Sequence, residues 1–158
     1  MTAEVDNYID FLKQIEKQAL EVLDGLPPEA LNWRPLPDAP GTDTHVTNSL
    51  AVMAAHLAGS MRHWVGEVAG GRPAHRDREA EFRAQADQAG ELTARVSETA
   101  EFAREVLAKL PPQHLDEVVE RNGQTLSRRY AVVQALTHAT LHIGHMQITR
   151  QLWEASRG

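Results

Sequence analysis

The chain has 158 residues, of which 42% are hydrophobic and 24% charged, so we expect one ordinary globular domain over residues 1–158. It contains no cysteine, which excludes disulfide frameworks, thiolate metal sites and cysteine nucleophiles. Its net charge of −6 argues against a nucleic-acid partner, because nucleic-acid binding needs a basic face.

No apolar run in the sequence approaches the roughly 20 residues of a membrane span. The first residues also lack the basic start and the apolar stretch of a secretory signal. We therefore expect a cytoplasmic protein with no membrane partner.

The first predicted helix runs from about residue 2 to residue 24. Gly25 and the pair Pro27-Pro28 end it. Its apolar residues recur at spacings of three and four, which indicates one buried stripe, and they are Val5, Tyr8, Ile9, Leu12, Ile15, Ala19, Val22 and Leu23. Residues 25–46 form a long proline-rich connection of the kind that often carries function, and Trp33 is expected mainly to pack it against the body.

Three further helices are predicted after this connection. Thr47 or Asn48 is expected to cap the second, and two glycines end it after Ala69. Residues 72–79 look solvated. The second predicted helix spans about 48–69. The third begins between 77 and 91 and ends at 110, with Gly90 as a possible break. The fourth spans about 127–156.

Before the last helix, residues 117–123 give only a weak hint of a turn or strand pair. Four long helical segments without a convincing sheet indicate an all-α four-helix bundle.

Three histidines share one face of the last predicted helix. His138, His142 and His145 are separated by four and three residues, and such spacings return a helix close to the same direction. Apolar residues flank that direction, so the histidine face is expected to be part of the buried face, and they are Ala131, Ala135, Leu141 and Leu152.

The second predicted helix offers a counterpart in His56. Its neighbours at helical spacing are mostly apolar or small, and they are Ser49, Val52, Met53, Gly59, Ser60 and His63. Burying neutral imidazoles without partners is costly, and one divalent ion can satisfy several rings at once. Three histidine ligands would leave a fourth position open, as in catalytic zinc sites.

Spacing alone leaves alternatives open. A histidine on an apolar face is often a satisfied core residue, and an HxxxH pair often occurs by chance. The pair from the last helix is either His138 with His142 or His142 with His145. Zinc, nickel, iron and copper all accept imidazole, so the ligands leave the metal undetermined. His63 is expected at the rim or behind the ligands, whereas His45, His75 and His114 are expected to be solvated.

Four sequence segments, taken in order, resemble the DinB/YfiT-like superfamily of proposed bacterial metalloenzymes. They are Leu-Asn-Trp-Arg-Pro at 31–35, Thr-Asn-Ser-Leu at 47–50, Ala-His-Leu-Ala-Gly at 55–59 and His-Ala-Thr-Leu-His-Ile-Gly-His-Met-Gln at 138–147. The resemblance implies a four-helix bundle of up-down-down-up topology. It also implies that one divalent metal, zinc or nickel above all, is bound by His56, His138 and His142.

The function implied by this resemblance is a metal-dependent hydrolase, or a transferase or isomerase that uses a small thiol such as mycothiol or bacillithiol. His145 stands where many members have Gln, and it is the first candidate for a catalytic acid or base. Trp33 and Arg34 are candidates for contact with an apolar or anionic part of a small-molecule substrate. Ser60 and Met53, with His63, are expected behind the ligands or in the pocket.

Two other functions remain open, namely a metal-binding bundle or sensor without catalysis and a metal-free bundle with interaction surfaces only. The apolar faces would also allow a homodimer. The substrate and the reaction stay undetermined at this point.

Overall fold

A computed structural model describes residues 2–36, 47–121 and 123–158 of the protein. Helix α1 spans Ala3–Leu23 and buries the apolar stripe that its sequence predicts, including Leu12 and Ala19. Gly25 follows it with a φ of 69°, a left-handed conformation that glycine adopts at little cost. Within the predicted connection, Pro28–Asn32 forms the short helix α2.

Helix α3 spans Leu50–Met61 and continues as a π-helical segment over Arg62–Ala69. The predicted cap at Thr47 or Asn48 is wrong by one or two residues. Ser49 is the cap, because its hydroxyl accepts a hydrogen bond from the Val52 amide at 3.3 Å.

The third predicted helix is two helices in the structure. A short helix, α4, spans Arg78–Phe82, and α5 spans Ala89–Lys109, so residues 83–88 form a non-helical connection between the two helices. Gly90 lies in the first turn of α5 and does not interrupt it. A residue distant in sequence holds this connection in place. The Asn32 side chain donates to the Ala86 carbonyl at 2.8 Å and accepts from the Ala86 amide at 3.0 Å.

A small hairpin precedes the last helix, which confirms the hint in the sequence. Strands β1 (Val118–Arg121) and β2 (Gln124–Ser127) pair antiparallel, after a 3₁₀ turn over Pro112–Asp116. Helix α6 spans Arg128–Ala155, and the Ser127 hydroxyl caps it by accepting from the Tyr130 amide.

The long helices pack around one core. Helix α1 contacts α5 and α6, and α3 contacts the same two helices. The predominantly helical class is therefore confirmed, while the up-down-down-up order of the helices stays a prediction. Among the described residues, no helix is long and apolar enough to cross a membrane.

The predicted buried face of α6 needs one correction. Ala131 and Ala135 are buried as expected, but Leu141 and Leu152 are about half exposed. The reason is that α6 carries apolar residues on a second, outward face as well as on the face that meets α1 and α3.

Candidate metal centre

Three histidine side chains from two helices converge inside the protein. His56 of α3 meets His138 and His142 of α6, and one ring nitrogen of each lies within 4.8 Å of those of the other two. His56 and His142 are 3% and 6% exposed, and His138 is half-buried. The three ring centroids are 4.4 to 5.2 Å apart. We call these residues the histidine cluster.

The spacing within the histidine cluster suits a single ion. The Nε2 atoms of His138 and His142 are 3.2 Å apart. Two imidazole ligands of a tetrahedral ion, each bound at about 2.0–2.1 Å, would lie about 3.3 Å from each other. The donor set therefore fits one divalent ion, and this distance fits two of its three ligands, while the His56 nitrogen lies within 4.8 Å of both.

The helices bring these side chains together for simple reasons. Residues four apart on α6 share a face, so His138 and His142 project in the same direction. Helices α3 and α6 are in contact, and small buried alanines lie beside the histidines at Ala55, Ala135 and Ala139. Short side chains at these positions allow the helices to approach closely enough for His56 to reach the other two rings.

The structure adds a buried ion pair that sequence reasoning missed. Glu81 of α4 accepts a hydrogen bond from His56 Nδ1 at 2.9 Å. Arg76 donates to both oxygens of that carboxylate, at 2.6 Å from Nε and 2.7 Å from Nη2. The expectation that residues 72–79 are solvated is thus wrong for Arg76, because its guanidinium folds inward against Glu81.

This ion pair favours the protonation state of His56 that can bind a metal. A proton donated from Nδ1 leaves the Nε2 lone pair available to a cation, and a carboxylate behind a histidine ligand is a recurrent feature of metal sites. Burial raises the pKa of the Glu81 carboxyl, but hydrogen bonds from Arg76 and His56, with the charge of Arg76, outweigh it and lower the pKa below its ordinary value. Glu81 therefore stays ionised.

A glycine on α3 makes room for the carboxylate. A Cβ atom at Gly59 would overlap Oε1 of Glu81. Any other residue at this position would push the carboxylate away from His56, so Gly59 belongs to the construction of the site.

Ser60 and Met53, which the sequence places near the site, lie on α3 and are buried. The Ser60 hydroxyl is 3.2 Å from Nδ1 of His138, so it contacts one member of the histidine cluster directly. Met53 packs in the apolar core.

The remaining two histidines near the site stand apart from the histidine cluster. His145 is exposed, and its ring centroid is 5.9 Å from that of His142. His63 pairs instead with Glu67, at 3.0 Å from Nδ1 to Oε2, and its ring meets Trp64 edge-on.

Other predicted residues lie further out. Trp33 and Arg34 are half-buried just after α2, and Arg34 borders a cleft beside α4. His75 is exposed as expected, whereas His114 is half-buried near Glu117. His45 lies outside the described residues.

The fold and the site together define a helical protein whose buried histidine cluster joins two long helices. The chain belongs to the DinB superfamily, whose family model matches residues 12–146, and this confirms the resemblance seen in the sequence. No curated protein matches the chain.

Two solved structures share the fold. A conserved protein from Enterococcus faecalis has a TM-score of 0.71 at 18% identity, over 96% of this chain and 97% of that one. A DinB-like protein from Bacillus subtilis has a TM-score of 0.68 at 14% identity, over 92% of this chain and 90% of the other.

Proposed function

We propose that the protein is a metal-dependent enzyme that acts on a small molecule. The observation that carries this proposal is the convergence of His56, His138 and His142, with ligand nitrogens within 4.8 Å of one another. Three protein ligands leave coordination open for water or a thiol, and a bound zinc or nickel ion would lower the pKa of either group. The reaction class is hydrolysis, or transfer or isomerisation with a small thiol.

Residues around the histidine cluster have separate roles in this proposal. Glu81 keeps the proton of His56 on Nδ1, and Arg76 keeps Glu81 ionised and in place. Ser60 contacts Nδ1 of His138 in a comparable position. We propose His145 as the acid or base, and its exposed ring, 5.9 Å from that of His142 between centroids, supports this role.

The test of this function is a reaction screen on the metal-loaded protein. Hydrolysis of small esters and amides and transfer from small thiols, mycothiol and bacillithiol included, are the reactions to measure. We expect turnover that His142→Ala abolishes and that His145→Ala lowers by about 10²-fold or more, since general acid–base catalysis contributes factors of that size. A metal-loaded protein that is inert in every assay would favour the metal-binding or sensor function instead.

We also propose a homodimer formed through the outward face of α6. Large apolar residues there are 42–56% exposed and follow one side of the helix, and they are Tyr130, Val133, Leu141, Ile148 and Leu152. A Cβ at Gly144 on this side would meet nothing within 4 Å, so packing within the chain does not require that glycine.

The order of these residues suits pairing with a second copy. Tyr130 and Leu152 each lie 11 residues from Leu141 along the helix. Val133 and Ile148 lie 8 and 7 residues from Leu141. Two copies of α6 packed antiparallel across Leu141 would therefore place apolar side chains against each other.

Light scattering behind a sizing column tests the dimer. We expect a mass of twice 17.5 kDa for the natural chain and 17.5 kDa for Ile148→Glu. Val118→Glu, at an exposed apolar position on the hairpin, should leave the dimer intact. A monomeric natural chain, or a dimer that survives Ile148→Glu, would overturn the proposal.

A further inference from the structure

A basic cleft of about 460 Å³ lies between the end of α2, the start of α3 and helix α4. Three arginines, one carboxylate and one amide line it, beside two apolar side chains, and the seven are Arg34, Arg78, Arg83, Glu79, Asn48, Val52 and Phe82. Its volume is in the range of small-molecule sites, and its charge is positive on balance.

Arg34 is the residue that points to a ligand. Its Nε atom is buried and has no hydrogen-bond partner among the described residues. A guanidinium is always charged, and a buried donor without an acceptor costs free energy. A carboxylate or phosphate in the cleft would supply the acceptor, and either group matches the planar fork of arginine donors.

The cleft and the histidine cluster share a wall. The Phe82 ring lines the cleft and lies 5.0 Å, centroid to centroid, from the His56 ring. Arg78 stands over the same Phe82 ring, with its guanidinium carbon 5.2 Å from the centroid. Val52, one turn before His56 on α3, completes the wall.

We propose that this cleft is a subsite for the anionic group, carboxylate or phosphate, of the molecule whose reacting end meets the metal. Its link to the reaction rests on the proposed function, but the binding of an anion does not. Glu79 pairs with Arg83 at 3.5 Å on the exposed rim, so Arg34 provides the inner contact and Arg83 a weaker outer one.

Calorimetric titration with inorganic phosphate and, separately, with succinate tests the subsite and distinguishes the two anions. The full chain is titrated as purified and again after a chelator has removed metal, so that an anion bound to the metal is recognised. We expect at least one of the two anions to bind in both states, with affinity reduced tenfold or more in Arg34→Gln and less in Arg83→Gln.

The matched control is Arg95→Gln, an exposed arginine on α5 outside this cleft, which changes the net charge equally and should bind like the natural chain. Circular dichroism checks that each variant is folded, and Arg83→Gln, at an exposed position, keeps the test informative if Arg34→Gln is not. No binding by the natural chain, or equal binding by all three variants, would overturn the subsite. Loss of binding on chelation would place the anion on the metal and overturn it as well, whereas failure of the metal centre alone would leave the titration unchanged.

Discussion

His142→Ala is expected to weaken binding of zinc or nickel by more than about 100-fold. Removing a residue that only supports a metal ligand typically costs 10–100-fold in affinity, and His142 is proposed as a ligand itself. Competition with a chromophoric chelator measures the affinity, and elemental analysis of the purified protein measures the metal content.

His145→Ala is the matched control, because it removes the same side chain from the same helix three residues away. It is expected to keep the full metal affinity. His142 is buried, so circular dichroism and thermal unfolding must show that its alanine variant is folded. If both variants bind metal weakly, the ligand pair from α6 is His142 with His145. Full metal affinity in His142→Ala would contradict both ligand pairs.

Glu81→Ala is expected to lower both the metal affinity and the stability of the protein. Without the carboxylate, His56 loses the acceptor that holds its proton on Nδ1, and an affinity loss of about 10–100-fold should follow. Arg76 is left as a largely buried charge without its partner, which should lower the free energy of unfolding by about 3–5 kcal/mol. Chelator competition and denaturant unfolding measure the two effects.

Two further variants distinguish the effect of the position of the Glu81 carboxylate from the effect of removing a charge. Gly59→Ala leaves every charge unchanged but pushes a methyl group into the Glu81 carboxylate, so it should also weaken metal binding. Glu79→Gln, at an exposed carboxylate on the same helix α4, should change neither quantity appreciably. If Glu81→Ala binds metal as tightly as Glu79→Gln, Glu81 has no part in the centre.

The histidine cluster was within reach of the sequence, because periodicity alone puts His138 and His142 on one face of a helix. His56 was recognisable from its apolar neighbours on another helix. Choosing the facing partners needed the family resemblance, since spacing did not separate His138 from His145.

Glu81 and Arg76 were missed for a physical reason. Charged residues near a turn usually face water, and these two are buried only because Gly59 leaves space beneath α3 and because each neutralises the other. A signal did exist in Asp77, whose side chain accepts from the Ala80 amide at 2.9 Å and starts α4. That cap would have predicted the short helix, but not the direction of Glu81.

The π-helical segment after α3 was also beyond periodicity. A Cβ at Gly66 would press on the Phe102 ring, so the close approach of α5 accompanies this local widening of the helix. Helix propensity depends on residues close in sequence, so it cannot predict a contact between residues far apart in the chain.

Zinc K-edge X-ray absorption of the metal-loaded protein tests the centre most directly. The proposed site should give three imidazole nitrogens at about 2.0–2.1 Å with one or two further oxygen ligands, and His56→Ala should lose one imidazole contribution. A spectrum without imidazole scattering, or one that His56→Ala leaves unchanged, would contradict a metal held between α3 and α6.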